Sequence, residues 1–191
     1  MGMDVFKKYT EQDRLIGDEF YSSDELVTEH VLLSIKYLGI STKTKVGTAF
    51  GSDNPYTRVL TNLGFDVEEY ATFEDFLKHA NQDVVLIDNP PFSTASKDRR
   101  LLEKNGFKYS LLASGTWFPK SHKFGAILFK QPRKYFTNRP EQVLCSIFHN
   151  FDDNIYSEYR KTKPNKFKRD FIAVNLNSGI YKNEEIQWPN I

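Results

Sequence analysis

The chain has 191 residues and a nearly balanced charge, with 26 Lys and Arg against 25 Asp and Glu. Cys145 is its single cysteine, which excludes an intramolecular disulfide and a zinc site built from cysteines. The charges are segregated, since residues 1–90 hold 16 acidic and 8 basic residues whereas residues 91–191 hold 9 acidic and 18 basic. This asymmetry favours a nucleic-acid partner for the basic part.

Length and composition predict one folded domain. Aromatic residues make up 15% of the chain, which argues against disorder, and 191 residues suffice to bury a core without disulfide or metal staples. We expect a polar arm over residues 1–17 and a single domain over residues 18–191. No apolar run of 18 residues occurs, and no His, Cys or acidic cluster has ligand spacing. The sequence therefore predicts a cytoplasmic protein with no metal site and no membrane partner.

Predicted elements alternate between helix and strand along the first half of the chain. Acidic residues follow Ser22 and Ser23, either of which can cap a helix with apolar residues at helical spacing that stops at Gly39. The next predicted elements are a strand over 45–50, a loop over 51–54, a helix from Pro55 to the Gly64 stop, a strand over 65–68 and a helix capped by Thr72.

Uninterrupted apolar runs then indicate strands that are covered on both faces. The predicted elements are a strand over 83–87, a helix from Ser93 or Thr94 to Asn105, a strand over 107–113, and strands over 142–148 and 170–175. We expect the last two strands to form an antiparallel pair at one edge of the sheet. The whole pattern predicts an α/β layered fold with ligands beyond the carboxyl ends of its strands.

The sharpest motif is Asn89-Pro90-Pro91-Phe92, which follows the strand predicted over 83–87. Two prolines remove two N–H donors, so the turn presents carbonyl acceptors beside the Asn89 side-chain oxygen. An aromatic ring at Phe92 could stack on a planar group whose amino substituent donates to Asn89 and to the Pro90 carbonyl. The alternative is that the two prolines only terminate the strand.

This motif resembles the Asn-Pro-Pro-aromatic motif of the S-adenosylmethionine-dependent N-methyltransferases, most closely the DNA adenine-N6 methyltransferases with their small phage-type members. The resemblance spans about residues 18–148 and is specific at Asn89 to Phe92. It implies a class I methyltransferase fold, a Rossmann-like and mostly parallel sheet with helices on both faces and antiparallel edge strands near the C-terminus. It also implies catalytic roles for Asn89, Pro90, Pro91 and Phe92. The same motif serves enzymes that methylate a guanine amino group in RNA or a glutamine amide in protein.

The resemblance extends to residues expected to bind S-adenosylmethionine. A loop containing a single glycine stands where the family has its glycine-rich loop, with Gly47-x-x-x-Gly51 in place of Gly-x-Gly. An acid at the end of the second strand would accept from the ribose hydroxyls, and we favour Glu68 over the adjacent Glu69. An Asp-Phe pair follows that resembles the family's contact to the cofactor adenine. The expected cofactor-binding residues are Tyr21, Phe50, Gly51, Ser52, Glu68, Asp75 and Phe76.

Basic residues supply the expected phosphate contacts. One group follows the Pro-Pro turn on its predicted helix, and a second lies in a C-terminal segment rich in cations. For the second group, a solvated loop is the equally weighted alternative. The expected nucleic-acid contacts are Lys97, Arg99, Arg100, Arg160, Lys161, Lys163 and Lys166.

The sequence thus predicts transfer of a methyl group from S-adenosylmethionine to an exocyclic amine, with adenine N6 in DNA as the favoured substrate. A non-catalytic nucleic-acid-binding protein that keeps the fold is the alternative from another class. Methylation of RNA or of a protein amide is the second enzymatic alternative.

Overall fold

The computed structural model describes eight segments of the chain. They cover residues 22–51, 53–114, 125–129, 133–134, 142–143, 145–151, 171–175 and 180–184. The predicted N-terminal arm and the basic C-terminal segment around residues 160–166 lie outside the described residues.

Four α-helices occur within the described segments: α1 (Asp24–Leu38), α2 (Pro55–Asn62), α3 (Phe73–His79) and α4 (Ala95–Lys104). The side chains of Ser23, Asn54 and Thr72 each accept a hydrogen bond from a backbone N–H of the first turn of α1, α2 and α3, respectively. Gly39 ends α1 with a φ of 68°. These starts and stops confirm the helices predicted from capping residues. No helix in this part of the chain is long and apolar enough to span a membrane.

Ten strands are described, and eight of them form one sheet. They are β1 (Val46–Thr48), β2 (Val67–Glu69), β3 (Val85–Asp88), β4 (Lys108–Ser114), β5 (Gly125–Phe129), β6 (Arg133–Lys134), β7 (Gln142–Val143), β8 (Cys145–His149), β9 (Phe171–Asn175) and β10 (Ile180–Glu184). The large sheet has the order β10-β9-β5-β8-β4-β3-β1-β2, and β6 pairs with β7 in a separate ribbon.

Strand directions divide the sheet into two parts. β2, β1, β3 and β4 are parallel to their neighbours, whereas β8, β5, β9 and β10 are joined by antiparallel ladders. Six of the eight strands consequently point in one direction, and β8 and β9 point in the other. The α/β class predicted from the sequence is confirmed.

The predicted pairing of the last two strands is wrong. β5 lies between β8 and β9 and is antiparallel to both, so β8 is an interior strand rather than an edge strand. The predicted strand over 142–148 is also divided, because 142–143 belongs to the small ribbon and 145–149 to the large sheet. The sequence pattern did not reveal β5, which completes the ladder between them.

Helices cover both faces of the sheet. Val85 and Ile87 of β3 pack in the cluster that contains the buried faces of α1 and α2. Leu86, which alternates with them, packs with Phe76 of α3 and Leu102 of α4 in a second cluster. This period-two alternation explains why the β3 sequence is an unbroken apolar run, and it confirms the prediction of a strand that is buried on both sides.

The chain reverses its direction of travel across the sheet at β1. It passes from β1 to β2 on one side and then crosses to β3 on the other side of β1. The carboxyl ends of β1 and β3 therefore flank a topological switch point, which is where open α/β sheets bind ligands.

Candidate functional site

The buried carboxylate of Asp88, the last residue of β3, lies at the centre of the switch point. It is 1% exposed. Its Oδ2 accepts hydrogen bonds from the backbone nitrogens of Ala49 (2.7 Å) and Phe50 (3.1 Å), which follow β1. Its Oδ1 accepts from the backbone nitrogen of Asn89 (2.7 Å), and Asn54 Nδ2 lies 3.1 and 3.0 Å from the two oxygens. One side chain thus joins the loop after β1 to the turn after β3.

Two opposing effects act on the ionisation of Asp88. Burial raises the pKa of the carboxyl to about 6, while the hydrogen bonds from Ala49, Asn54, Asn89 and Phe50 act to lower it. Since this pKa is below 7, the carboxylate is mostly ionised at neutral pH. Its charge then faces four N–H donors and strengthens each hydrogen bond.

The loop after β1 has a backbone path that suits close approach of a ligand. Gly51 has a φ of 103°, and a Cβ built at this position would meet no heavy atom within 4 Å. Asp53 also has a positive φ, of 56°. Asn54 closes the loop as the cap of α2, with its Nδ2 bonded to Asp88 and its Oδ1 accepting from Tyr56 N (2.9 Å). The open space beside Gly51 can receive a ligand next to backbone groups.

The turn after β3 uses its two proline carbonyls differently. The Pro91 carbonyl accepts from the backbone nitrogens of Thr94 (3.0 Å) and Ala95 (2.9 Å), so it is occupied by the start of α4. No backbone N–H of the described residues donates to the Pro90 carbonyl oxygen. Phe92 is half-buried and packs against the cluster beneath α1. The Pro91 carbonyl thus serves the start of α4, whereas the carbonyl predicted to accept from a substrate amine is that of the buried Pro90.

Asn89 is half-buried, and its side chain is held in place. Its Nδ2 donates to Ser22 Oγ at 3.1 Å, across the gap between this turn and the start of α1. Ser22 is 7% exposed. The amide nitrogen therefore faces the start of α1, and the amide oxygen is itself buried.

The two acids at the end of β2 face different surroundings. The Tyr70 hydroxyl donates to Glu68 Oε2, and burial together with the charges of Glu68 and Asp75 raises the pKa of Tyr70. Of the two acids predicted to bind the cofactor, Glu68 thus contacts the Tyr70 hydroxyl, whereas Asp75 Oδ1 lies 3.5 Å from His79 Nε2. Glu69 instead lines an open cleft of about 290 Å³ with residues of α2, among them Thr57 and Arg58.

The aromatic residues predicted at the cofactor site have unequal exposure. Phe76 is 0% exposed and packs between Tyr70 and Phe107, with ring centroids 5.1 and 4.8 Å away. Its ring offers no face to a ligand in this structure, and its position is that of a core residue. Phe50 stacks on Phe73 with centroids 5.2 Å apart, and both rings are partly exposed. Stacking on a ligand is available to Phe50 and Phe73 rather than to Phe76.

Arg99 does not have the position expected of a phosphate contact. It is 4% exposed, and its Nη1 lies 2.5 Å from Glu103 Oε1, which also accepts from the Tyr109 hydroxyl at 2.8 Å. Its side chain faces the sheet because Arg99 lies on the same side of α4 as Leu102. Lys97 and Arg100 are exposed, as expected of contacts to a large partner.

Several predicted site residues lie outside the described residues: Tyr21, Ser52, Arg160, Lys161, Lys163 and Lys166. Sequence reasoning in turn missed Asp88 and Asn54 as the residues that join the two loops. An acidic residue at the end of an apolar strand, and an Asn before the helix-starting Pro55, were the available signals. Among the described residues, no three His, Cys, Asp or Glu side chains are grouped to hold a metal ion.

No protein-family model matches this chain, and no curated protein matches it either.

Proposed function

We propose that the protein is an S-adenosylmethionine-dependent N-methyltransferase that acts on an exocyclic amine, with adenine N6 in DNA as the substrate. The observation that carries the proposal is the junction at Asp88. Its carboxylate joins the Gly51 loop, suited to a cofactor, to the Asn89-Pro90-Pro91-Phe92 turn, suited to an amine. Transfer between a cofactor and a second substrate requires both molecules to be held side by side. The two loops lie next to each other at the switch point of the sheet.

The turn provides acceptors that match an exocyclic amine. Such an amine carries two N–H groups, and Asn89 Oδ1 and the Pro90 carbonyl oxygen are two acceptors on successive residues. An amine attached to an aromatic ring is a poor nucleophile because its lone pair is delocalised. Holding both of its protons favours a pyramidal nitrogen and orients the lone pair. Phe92 would then pack against the plane of the base.

The residues of the β1 loop fit the proposed cofactor. Gly51 leaves open space beside the backbone, and Glu68 and Asp75 supply carboxylates near the end of β2. S-adenosylmethionine supplies an electrophilic methyl group, whose transfer forms an N–C bond, breaks a C–S bond, leaves a neutral thioether and releases one proton from the amine. The chain's own task is to hold the amine in line with that methyl group and to exclude water.

DNA is favoured as the substrate by the location of basic residues. α4 begins three residues after the Asn-Pro-Pro-Phe turn, and its exposed Lys97 and Arg100 can contact phosphates beside a base held in that turn. A base in duplex DNA would have to be flipped out at a cost of a few kcal/mol, which these contacts would offset.

The test is transfer of a labelled methyl group from S-adenosylmethionine to separate pools of DNA, RNA and protein. We expect label in DNA as N6-methyladenine, and a loss of at least about 100-fold in rate for Asn89→Ala. Asn81→Ala changes an exposed asparagine away from the site and should keep the wild-type rate.

Other outcomes would replace the proposal with a specific alternative. Label in RNA or protein would support the proposed methyl transfer but would mean that the substrate is not DNA. Binding of DNA without any calorimetric binding of the cofactor at millimolar concentration would favour a non-catalytic nucleic-acid-binding protein. Full activity in Asn89→Ala would show that Asn89 has no role in the reaction.

A further inference from the structure

The carboxylate of Asp88 is surrounded by hydrogen-bond donors. Every hydrogen bond of its two oxygens to described residues comes from an N–H group. The donors are the backbone nitrogens of Ala49, Phe50 and Asn89 and the side-chain nitrogen of Asn54. An ionised carboxylate is an acceptor only, whereas a protonated carboxyl also has an O–H to donate. The surroundings of Asp88 therefore match its charged form.

The side chain of Asn54 cannot turn to offer an acceptor instead. Its Oδ1 accepts from Tyr56 N at 2.9 Å, and its Nδ2 also lies 3.3 Å from the carbonyl oxygen of Phe50. A flipped amide would place an N–H group against the N–H of Tyr56 and an oxygen against the carbonyl of Phe50. A proton on Asp88 therefore meets no acceptor among these four neighbours, and its uptake has to weaken at least one of their hydrogen bonds.

The oxygen that takes the proton decides which loop loses its partner. Oδ1 accepts from the backbone nitrogen of Asn89, so a proton there weakens the hold on the Asn-Pro-Pro-Phe turn. Oδ2 accepts from the backbone nitrogens of Ala49 and Phe50, so a proton there weakens the hold on the loop that leads to Gly51. In both cases the two loops lose part of their connection, because Asp88 is the partner that they share.

The Gly51 loop has a backbone path that needs to be held. Asp53 has a φ of 56°, a conformation that costs free energy for a residue other than glycine and persists where the surrounding structure fixes it. Asp88 holds this loop at both ends, through the two backbone N–H groups that precede Gly51 and through the side chain of Asn54, which follows Asp53. A protonated Asp88 would let the loop leave this path, and a ligand would then have to restore it on binding.

We infer that Asp88 is a positioning residue that holds the Gly51 loop and the Asn-Pro-Pro-Phe turn together only as a carboxylate, so that proton uptake at this side chain uncouples the candidate cofactor site from the candidate substrate site. The coupling of the two loops follows from the hydrogen bonds. Its effect on catalysis rests on the proposed function, because that function needs both loops in place at once.

Other titratable groups on the surrounding elements stay neutral as Asp88 changes its charge. Burial, followed by the charges of Asp88 and Cys145, raises the pKa of Tyr56 on α2 well above its ordinary value. Burial lowers the pKa of His30 on α1, 2.8 Å from the Tyr56 hydroxyl, to about 3. Burial raises the pKa of Asp88 to about 6, so its carboxyl takes up a proton as the pH falls from 7 to 5. The charged side chains on the surface of the same loop and of α2 are Asp53 and Arg58, which lie 3.6 Å apart.

The first experiment measures the coupling in the protein alone, without cofactor or substrate. Two-dimensional proton–nitrogen NMR from pH 7.5 to pH 5 should show the backbone amide signals of Ala49, Phe50 and Asn89 shifting together, with one midpoint near pH 6. Asp88→Asn has no carboxyl to titrate and should abolish all three shifts. The amide of Phe107, which donates to a backbone carbonyl, is the internal control and should not follow this midpoint. Three separate midpoints, or constant signals over this range, would overturn the inference.

Asn54→Ala is a second variant that keeps the test decisive if Asp88→Asn does not fold. Loss of the Asn54 side chain removes a hydrogen bond that favours the charged carboxylate, so the common midpoint should move to higher pH. Asn81→Ala changes an exposed asparagine outside the network and should leave the midpoint unchanged. An equal midpoint in Asn54→Ala and Asn81→Ala would contradict the assigned network.

The second experiment measures the consequence for the proposed cofactor site. Calorimetry with S-adenosylhomocysteine should give a dissociation constant that rises about 10-fold from pH 7 to pH 5, because about one molecule in ten keeps the carboxylate at one pH unit below the midpoint. Asp88→Asn should bind more weakly than the wild type at pH 7 and should change less than about twofold over the same range. Equal wild-type affinity at pH 5 and pH 7 would overturn the regulation of this site by Asp88.

The two experiments separate the inference from the proposed function. If the wild-type protein binds no S-adenosylhomocysteine and transfers no methyl group, the proposed function fails, and the NMR titration alone decides whether Asp88 couples the two loops. If the wild-type protein is active and its three amides titrate independently, the positioning role of Asp88 is overturned while the proposed function stands.

Discussion

Asp88 Oδ2 lies 2.7 Å from the backbone nitrogen of Ala49, so a buried carboxylate at the end of β3 holds the first residue after β1. The other oxygen of the same carboxylate holds the backbone nitrogen of Asn89, also at 2.7 Å. A change at Asp88 therefore affects the candidate cofactor loop and the candidate substrate turn together. A change at Gly51 or Asn89 affects one of them.

The burial of Asp88 predicts a specific dependence of stability on pH. The pKa is about 6 in the folded protein against 3.8 as the ordinary value, so between these values the folded state holds a proton that the unfolded state has lost. The protonated Asp88 side chain therefore stabilises the folded state in full below about pH 4, and this stabilisation is lost as the pH rises through 6. The pKa difference corresponds to about 3 kcal/mol.

The measurement compares the wild-type protein with Asp88→Asn by urea unfolding at pH 4, 5, 6 and 7. The variant is expected to be less stable throughout, because its amide N–H groups face the N–H donors of the loop. The free energy of unfolding of the wild type, relative to the variant, should fall by up to about 3 kcal/mol from pH 4 to 7. A relative increase with pH would mean that the N–H hydrogen bonds outweigh burial.

Gly51→Ala is expected to weaken cofactor binding. Its φ of 103° disfavours a side chain, which should cost about 1–2 kcal/mol of stability, and the new methyl group would occupy the open space beside the loop. Gly39→Ala is the matched control, because Gly39 also has a positive φ and no atom within 4 Å of a built Cβ, but it ends α1.

Calorimetry with S-adenosylhomocysteine separates the two glycines. The dissociation constant should rise by about 10-fold or more for Gly51→Ala and stay within twofold of wild type for Gly39→Ala, while both lose similar stability. Equal affinity in both variants would place the cofactor away from Gly51.

Glu68→Gln and Glu69→Gln test which acid accepts from the cofactor's ribose. Glu68 accepts a hydrogen bond from the Tyr70 hydroxyl, whereas Glu69 lines the cleft beside α2. A carboxylate that accepts from ribose hydroxyls makes charge-assisted hydrogen bonds, so removing its charge should raise the dissociation constant of S-adenosylhomocysteine about 10-fold. We expect that rise for Glu68→Gln and less than a twofold change for Glu69→Gln. The reverse result would assign the role to Glu69.

Local signals in the sequence sufficed for the helices and for β3. Ser23 and Thr72 cap helices through their own side chains, and the run over 83–87 is apolar because both of its faces are covered. These properties depend on residues close in sequence or on burial alone. Both bounds of α1 and the start of α3 were consequently predictable to within a residue or two.

Partners distant in sequence were not predictable. β5 separates β8 from β9, and nothing in the two strands that flank it indicates an intervening strand. The role of Asp88 depends on backbone groups 38 and 39 residues away, and the buried hydroxyl of Tyr56 has its partner, His30, 26 residues away. Arg99 carries the charge expected of a phosphate contact, but its position on the inner face of α4 next to Leu102 decides its role.

Arg99 and its two exposed neighbours on α4 offer a test of the nucleic-acid surface. Lys97→Ala and Arg100→Ala should each reduce the slope of log binding constant against log salt concentration by about 1, because each removes one phosphate contact. Fluorescence anisotropy with labelled duplex DNA at several salt concentrations measures this slope. Neither residue is buried, so neither substitution should change stability by more than about 0.5 kcal/mol.

Arg99→Ala should give the opposite pattern. It leaves Glu103 without its 2.5 Å ion pair, and a loss of about 2–3 kcal/mol is expected, toward the lower end for buried pairs because the Glu103 side chain is 23% exposed. Its salt slope should equal that of the wild type, since a side chain that is 5% exposed cannot reach a phosphate. A reduced slope in Arg99→Ala, with wild-type stability, would instead mean that α4 presents Arg99 to the nucleic acid. Unchanged salt slopes in all three variants would show that α4 does not contact the nucleic acid.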